Sequence, residues 1–346
     1  MGHFVHDGIL GKRLPLVLSP MVDVTDAAFR SIAIEWGADV TCSEMVAATG
    51  LVHGSEKAWK HLQPWPNESP YGVQFMCGDP GEMAEAVGTL ATRIKPDFVD
   101  VNLGCPAPNI LKSCAGGFLL RDPAKAGEVV RAAKEAADEV GIRHVSAKMR
   151  LGPSASRLTY LDVGAACQDA GASWVTLHGR TVEQAYAGQA DWDAIANLVR
   201  HLDVPVIGNG DLRTPDDVAR MKAQTDCAGF FIARAAMHDP TIFTRLRAGL
   251  DAVEAGDGSR PGGGSSAEPP TMHQRLETLL AYLDRAPAAG VTAIGDLRRQ
   301  ATRFVAGGPG AKKLRVAFQD APDETTLRER VAQALVERLA EQDPTD

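Results

Sequence analysis

Short apolar runs punctuate the chain at near-regular intervals. They read LPLVLS (14–19), VTCSEM (40–45), YGVQFM (71–76), DFVDVNL (97–103), HVSAKM (144–149), SWVTLH (173–178), VPVIGN (204–209) and CAGFFIA (227–233). Most are rich in Val, Ile or Phe, and several lack the polar alternation of a one-sided sheet. That is the pattern of parallel strands covered on both faces. The stretches between them, such as GEMAEAVGTLATRI and AKAGEVVRAAKEAADEV, space apolar residues at three and four positions, as amphipathic helices do. Asp79-Pro80, Asp122-Pro123, Thr214-Pro215 and Asp239-Pro240 each set an N-cap residue before a Pro at the first helical position. Eight strands alternating with helices over about 250 residues predict an α/β fold, a (β/α)8 TIM barrel. The competing open doubly wound sheet would carry GxGxxG after its first strand, and none is present.

The pattern breaks at AGDGSRPGGGSSAEPP (255–270), where eleven of sixteen residues are Gly, Pro or Ser. Such a segment is too polar and flexible to bury a core. The expected organisation is a catalytic barrel over 1–250, a linker over 251–270 and a small helical C-terminal domain over 271–346. TMHQRLETLLAYLDRA and TTLRERVAQALVERLAE supply helices of the last.

A chain of 346 residues, 45% hydrophobic and 23% charged, is neither disordered nor a coiled coil. It has no apolar run long enough to span a bilayer, and its first residues lack the features of a secretory signal, so a soluble cytoplasmic protein is expected. Six cysteines without a CxxC pair argue against a structural zinc site, and no metal is expected.

Barrel enzymes place their chemistry at the C-terminal ends of the strands. Here those ends read Ser19-Pro20-Met21, Glu44-Met45, Gln74, Asn102-Leu103-Gly104-Cys105, Lys148-Met149-Arg150, His178-Gly179-Arg180, Asn209-Gly210-Asp211 and Ala233-Arg234. A lone polar residue at a strand end is usually a turn former; eight together are hard to explain that way. Gln74, Lys148, His178 and Asn209 offer hydrogen bonds to a flat polar heterocycle. The last two loops are where barrels commonly hold phosphate, and Arg234 adds a donor there. A phosphorylated aromatic cofactor fits, either FMN or pyridoxal phosphate bound through Lys148. Most of the cysteines read as packed thiols. Cys105, in a Gly–Cys–Pro turn after a strand, instead reads as an accessible thiol able to move a proton.

The strand-end motifs also resemble those of the tRNA-dihydrouridine synthase family. The resemblance runs through SPMVDVTDAAFR (19–30), SEMV (43–46), VQFMCGDP (73–80) and DVNLGCPAPNILKSCAGGFLLRDP (100–123). It continues through AKMRLG (147–152), LHGRT (177–181), YAGQADW (186–192), VIGNGD (206–211) and IARAA (232–236), and more weakly through GGPGAKKLR (307–315). It implies an FMN enzyme that uses NADPH to reduce uridines in tRNA to dihydrouridine, with hydride going to C6 and the Cys105 thiol protonating C5. Pro20, Met21, Val22, Gln74, Lys148, Asn209, Gly210, Asp211, Ala233 and Arg234 would hold FMN. His178 and Arg180 would support the site, Arg180 on the substrate side, and Asn102 would face the uracil. The chain departs from the family in reading Ala233-Arg234-Ala235 where Gly-Arg-Gly is usual. Two other readings stand beside this one: an FMN barrel reductase of a free pyrimidine, of the dihydroorotate dehydrogenase kind, and a catalytically silent RNA-binding barrel.

The net charge of −8 at first disfavours an RNA partner. Its distribution reverses that. Residues 270–319 hold eight Lys and Arg against three Asp and Glu, whereas 320–346 hold three against eight. A local basic cluster binds phosphates whatever the total charge. Arg298, Arg299, Lys312, Lys313 and Arg315 are therefore the expected tRNA contacts.

Overall fold

The computed structural model describes residues 14–254 and 268–342. The Gly/Pro/Ser-rich heart of the expected linker, 255–267, lies outside the described residues. Nine parallel strands form one sheet: β1 Leu16–Leu18, β2 Thr41–Cys42, β3 Val46–Ala47, β4 Tyr71–Met76, β5 Phe98–Leu103, β6 His144–Arg150, β7 Trp174–His178, β8 Val206–Asn209 and β9 Gly229–Ile232. β1 pairs with β9, and neighbours then follow in descending order to β4, which takes both β2 and β3. A parallel bridge between Val17 and Val40 brings the chain just before β2 against β1 and nearly closes the ring. The eight expected runs thus become a (β/α)8 barrel with one strand in two pieces. Between the pieces, the Ser43 hydroxyl accepts the N–H of Gln74 at 3.1 Å, taking up a donor on the neighbouring strand.

The connecting helices start where the sequence places them at three of the four Pro sites. Asp79, Asp122 and Thr214 accept the N–H of the third helical residue, with Pro in the first turn. The fourth differs. Asp239 accepts from the N–H and hydroxyl of Thr241, and the helix begins only at Ile242.

Strand residues alternate between two cores. Leu16, Leu18, Val99, Val101, Phe230 and Ile232 face outward into the layer beneath the helices. Val17, Cys42, Phe98, Trp174, Ile207 and Phe231 meet in the lumen. There the Phe98 and Trp174 rings pack edge-on, 5.1 Å between centroids. Gly72 on β4 makes room for them: a Cβ at that position would lie 2.1 Å from the Phe98 ring. This apolar layer fills the N-terminal half of the barrel.

The described residues of the tail form four helices, Met272–Arg285, Ile294–Phe304, Ala311–Gln319 and Glu324–Gln342. Their apolar faces (Leu276, Leu279, Leu283, Leu297, Phe304, Phe318, Val331) join the same outer core as the barrel helices. Polar contacts add to this docking. Tyr282 donates its hydroxyl to Asp26 at 2.8 Å, and Arg285 reaches Ser31 and Glu35. Arg275 donates to the carbonyls of His238, Phe304 and Ala306. No described helix is long and apolar enough to cross a membrane.

Candidate active site

The pleat that turns Phe98, Trp174 and Ile207 into the lumen must also turn every second residue above them inward. Asp100, Asn102, Ser146, Lys148, Thr176, His178, Asn209 and Gln74 therefore form polar layers over the apolar one. Register sets Gln74 beside Asp100, Asn102 beside Lys148, and His178 beside Asn209.

A single chain of hydrogen bonds orders the first of these layers. Asp100 is fully buried and accepts from Ser146 Oγ at 2.5 Å and Gln74 Nε2 at 2.7 Å. With its nitrogen so committed, Gln74 turns Oε1 to Asn102 Nδ2 at 3.0 Å. Asn102 Oδ1 is then free to accept the N–H groups of Gly104 at 3.1 Å and Cys105 at 2.9 Å. Each link fixes the amide orientation of the next, from the interior out to the loop carrying Cys105. Burial pushes the Asp100 carboxyl up, with the Gln74 and Ser146 hydrogen bonds opposing. Beneath the loop, Gly117 donates its N–H to the Cys105 carbonyl at 3.1 Å. A Cβ on Gly117 would meet Val182 at 2.6 Å and the same carbonyl at 3.0 Å. Cys105 itself is partly exposed.

The second layer is cationic. Lys148 Nζ donates to Asn209 Oδ1 at 3.2 Å, and Asn209 Nδ2 donates to the Phe231 carbonyl at 2.7 Å. Burial, then neighbouring Arg150, brings the Lys148 ammonium down to about 8. Burial together with Arg150, Lys148, Arg180 and Arg234 pushes His178 well below the usual histidine value, so its ring is neutral. His178 Nε2 lies 3.3 Å from Arg180 Nη1, and a guanidinium only donates, so this nitrogen is the acceptor.

Asp211 is the hub of the rim. It accepts from Arg180 Nη2 at 2.6 and 2.9 Å, from Arg234 Nη2 at 2.9 Å and from the Ala190 N–H at 2.8 Å. Burial would raise its carboxyl; the Ala190 and Arg180 hydrogen bonds outweigh that and hold it below the usual range. Above it, the guanidinium carbons of Arg150 and Arg234 lie 5.5 and 5.3 Å from the Tyr186 ring centroid. Tyr186 is 58% exposed, so the rim presents an accessible aromatic plate flanked by two cations.

The structure gathers most of the sequence-predicted residues at this end of the barrel. Pro20, Met21 and Val22 form the loop after β1, with Val22 exposed. Gln74, Asn102, Cys105, Lys148, His178, Asn209, Gly210, Asp211, Ala233 and Arg234 stand around the mouth. Gly210 sits at φ +122°, in the region that favours glycine, whereas Ala233, at φ −117° and ψ −97°, lies outside it. Arg180 is 1% exposed, and its donors end on His178, Asp211 and the carbonyls of Ala187 and Gly188. It fastens the rim from within. Arg150, Tyr186 and Asp100 were not assigned roles from sequence. Their signals were nonetheless present: Arg150 and Asp100 lie two positions from Lys148 and Asn102, on the same face of their strands.

The five tail cations separate. Lys312 and Arg315 line a shallow recess with Thr302, Val316 and Gln319. Arg299 pairs with Asp296, and Lys313 lies 3.9 Å from Glu337, all exposed. Arg298 instead donates through Nε, at 2.7 Å, and Nη2 to the Ala321 carbonyl, within the tail.

Comparison with known proteins gives a consistent picture. A family model described as dihydrouridine synthase matches residues 17–338. A probable tRNA-dihydrouridine synthase of Treponema pallidum is 39% identical over 250 residues, covering 71% of this chain and 74% of its own. One of Aquifex aeolicus is 31% identical over 323 residues, covering 93% and 96%. The tRNA-dihydrouridine synthase B of Pseudomonas aeruginosa is 32% identical over 231 residues, covering 67% and 68%.

Proposed function

The chain belongs to the dihydrouridine synthase family, and on that premise we propose that it reduces specific uridines in tRNA to 5,6-dihydrouridine, with FMN as its cofactor and NADPH as reductant. The observation that carries this reading is the ordered chain from Asp100 through Gln74 and Asn102 to the Cys105 loop, set beside Lys148, His178 and Asn209 in one barrel mouth.

The residues present suit FMN. The pyrimidine edge of a flavin needs both donors and acceptors, and the mouth offers an ammonium and three amides. Thr176 Oγ1, next to Lys148 in register, is a buried hydroxyl with no protein partner among the described residues. Gly210, Ala233 and Arg234 would take the phosphate, and Pro20, Met21 and Val22 the ring system. When bound and reduced, FMN supplies the hydride for C6. The chain does the rest. Asn102 fixes the Cys105 loop, and Cys105 delivers a proton to C5 from the accessible side. Lys148, brought down to about 8, is poised to exchange a proton near neutral pH, whereas His178, held neutral by burial and its cationic neighbours, serves as a hydrogen-bonding group. A uridine must leave its stack to enter such a mouth. Tyr186 and Arg150 stand at the rim it would pass. The recess of Lys312 and Arg315 offers phosphate contacts on the tail.

The test is a strain lacking this gene and any redundant enzyme, complemented with wild type or Cys105→Ala, with its tRNA mapped by mass spectrometry. Dihydrouridine should return with wild type only, while purified Cys105→Ala stays yellow. Full dihydrouridine from Cys105→Ala would remove the acid role, and reduction of a free pyrimidine with tRNA untouched would overturn the substrate.

A further inference from the structure

The loop after β1 is held from two sides, and one of them is the helical tail. Asp23 has φ +59°, a conformation that costs a non-glycine residue energy and persists only where surroundings impose it. From the barrel, Glu44 Oε1 accepts the Asp23 N–H at 2.5 Å, while Glu44 Oε2 lies 2.5 Å from His61 Nδ1. From the tail, Arg303 donates to the Asp23 carbonyl, and Gln300 Nε2 donates to the Val24 carbonyl at 2.7 Å. Arg303 also donates to Gln300 Oε1 at 3.0 Å, which fixes the Gln300 amide with its nitrogen toward the loop. Gln300 is 2% exposed, so its hydrogen bond has no water to replace it. Within the loop, the N–H groups of Val24 and Thr25 both end on the Met21 carbonyl, and Thr25 Oγ1 accepts the Met21 N–H at 3.0 Å. Fixing Asp23 and Val24 therefore fixes Met21 and Val22.

We propose that Gln300 and Arg303 are positioning residues of the flavin site, holding the Pro20–Val22 loop in its cofactor-receiving shape from the tail. The inference rests on the FMN reading above. It gives the tail a second task, separate from any contact with RNA. Other docking contacts lie off the Pro20–Val22 loop: Arg285 on Ser31 and Glu35, and the Phe29–Phe304 ring contact at 6.0 Å, whereas Tyr282, bonded to Asp26, also neighbours Gln300.

The experiment titrates FMN into flavin-free full-length protein, reading quenching of flavin fluorescence and the visible circular dichroism of the bound flavin. Arg303→Met and Gln300→Leu should each weaken FMN binding about tenfold, the scale of one lost buried hydrogen bond, and alter the dichroism. Arg303→Lys, which keeps a donor, should recover most of the affinity. Arg285→Met, which loosens docking away from the loop, should bind FMN like wild type. Affinities within twofold of wild type and unchanged dichroism in both Arg303→Met and Gln300→Leu would overturn the proposal. So would an equal loss in Arg285→Met, which would mark a general docking effect. Wild-type protein that binds no FMN would overturn the cofactor reading and this inference with it.

Discussion

Asp26 gives a quantitative handle on the barrel–tail junction. It caps the Ala27–Glu35 helix, with Oδ1 accepting the Phe29 N–H at 2.9 Å and Oδ2 accepting the Tyr282 hydroxyl at 2.8 Å. Burial outweighs both hydrogen bonds and raises its carboxyl from 3.8 to about 6. A raised carboxyl holds its proton more tightly in the folded state. Its contribution is therefore fully present below the unfolded value and is lost as pH rises through the folded one. At about 1.4 kcal/mol per unit, the cost of ionised Asp26 reaches roughly 3 kcal/mol at pH 8, and about half of that is relieved by pH 5. Asn is as good an N-cap, and its Oδ1 can keep the Phe29 bond. Its Nδ2 then faces Tyr282, whose hydroxyl can turn from donor to acceptor. Asp26→Asn should therefore look more stable relative to wild type at pH 8 than at pH 5, by about 1.5 kcal/mol. Urea unfolding at the two pH values measures this, and the titration of His61 cancels because both proteins carry it. An offset that is the same at both pH values, or larger at pH 5, would refute the reasoning.

Gly72→Ala forces a methyl to within 2.1 Å of the Phe98 ring and should destabilise the barrel by about 3 kcal/mol or more, read as a lower unfolding midpoint. Arg234→Ala removes a partner of Asp211 and a cation from the expected phosphate loop, so the purified protein should carry less flavin per chain. Lys312→Ala with Arg315→Ala should weaken tRNA binding and make its salt dependence shallower by roughly 1.5–2 in log–log slope, while flavin content stays at the wild-type level.

Much of this was legible in the chain. Strands buried on both faces write themselves as apolar runs, and the pleat makes the residues at their ends point into one mouth. Hence Gln74, Asn102, Lys148, His178 and Asn209 could be found without coordinates. The break between β2 and β3 was not legible, because it depends on the Ser43 hydroxyl turning back onto the Gln74 N–H of another strand. Nor was the use of Arg180. Nothing near it in sequence announces Asp211, 31 positions on, as the partner that buries it. The tail cations show the same limit: a charge count treats Arg298 and Arg315 alike, yet the first ends on the Ala321 carbonyl and the second faces a recess. The contacts from Gln300 and Arg303 to the first loop span 276 and 280 positions and leave no local trace.

The aromatic layer of Phe98, Trp174 and Phe231 makes the barrel a cup rather than a tube. A cup has one rim. On the FMN reading proposed above, whatever reduced the flavin and whatever the flavin reduced would both have to reach it from that rim, where Tyr186 and Arg150 stand. On the proposed reaction, nicotinamide and uracil are then competitors for one seat. The enzyme would have to release its reductant before it could admit its RNA.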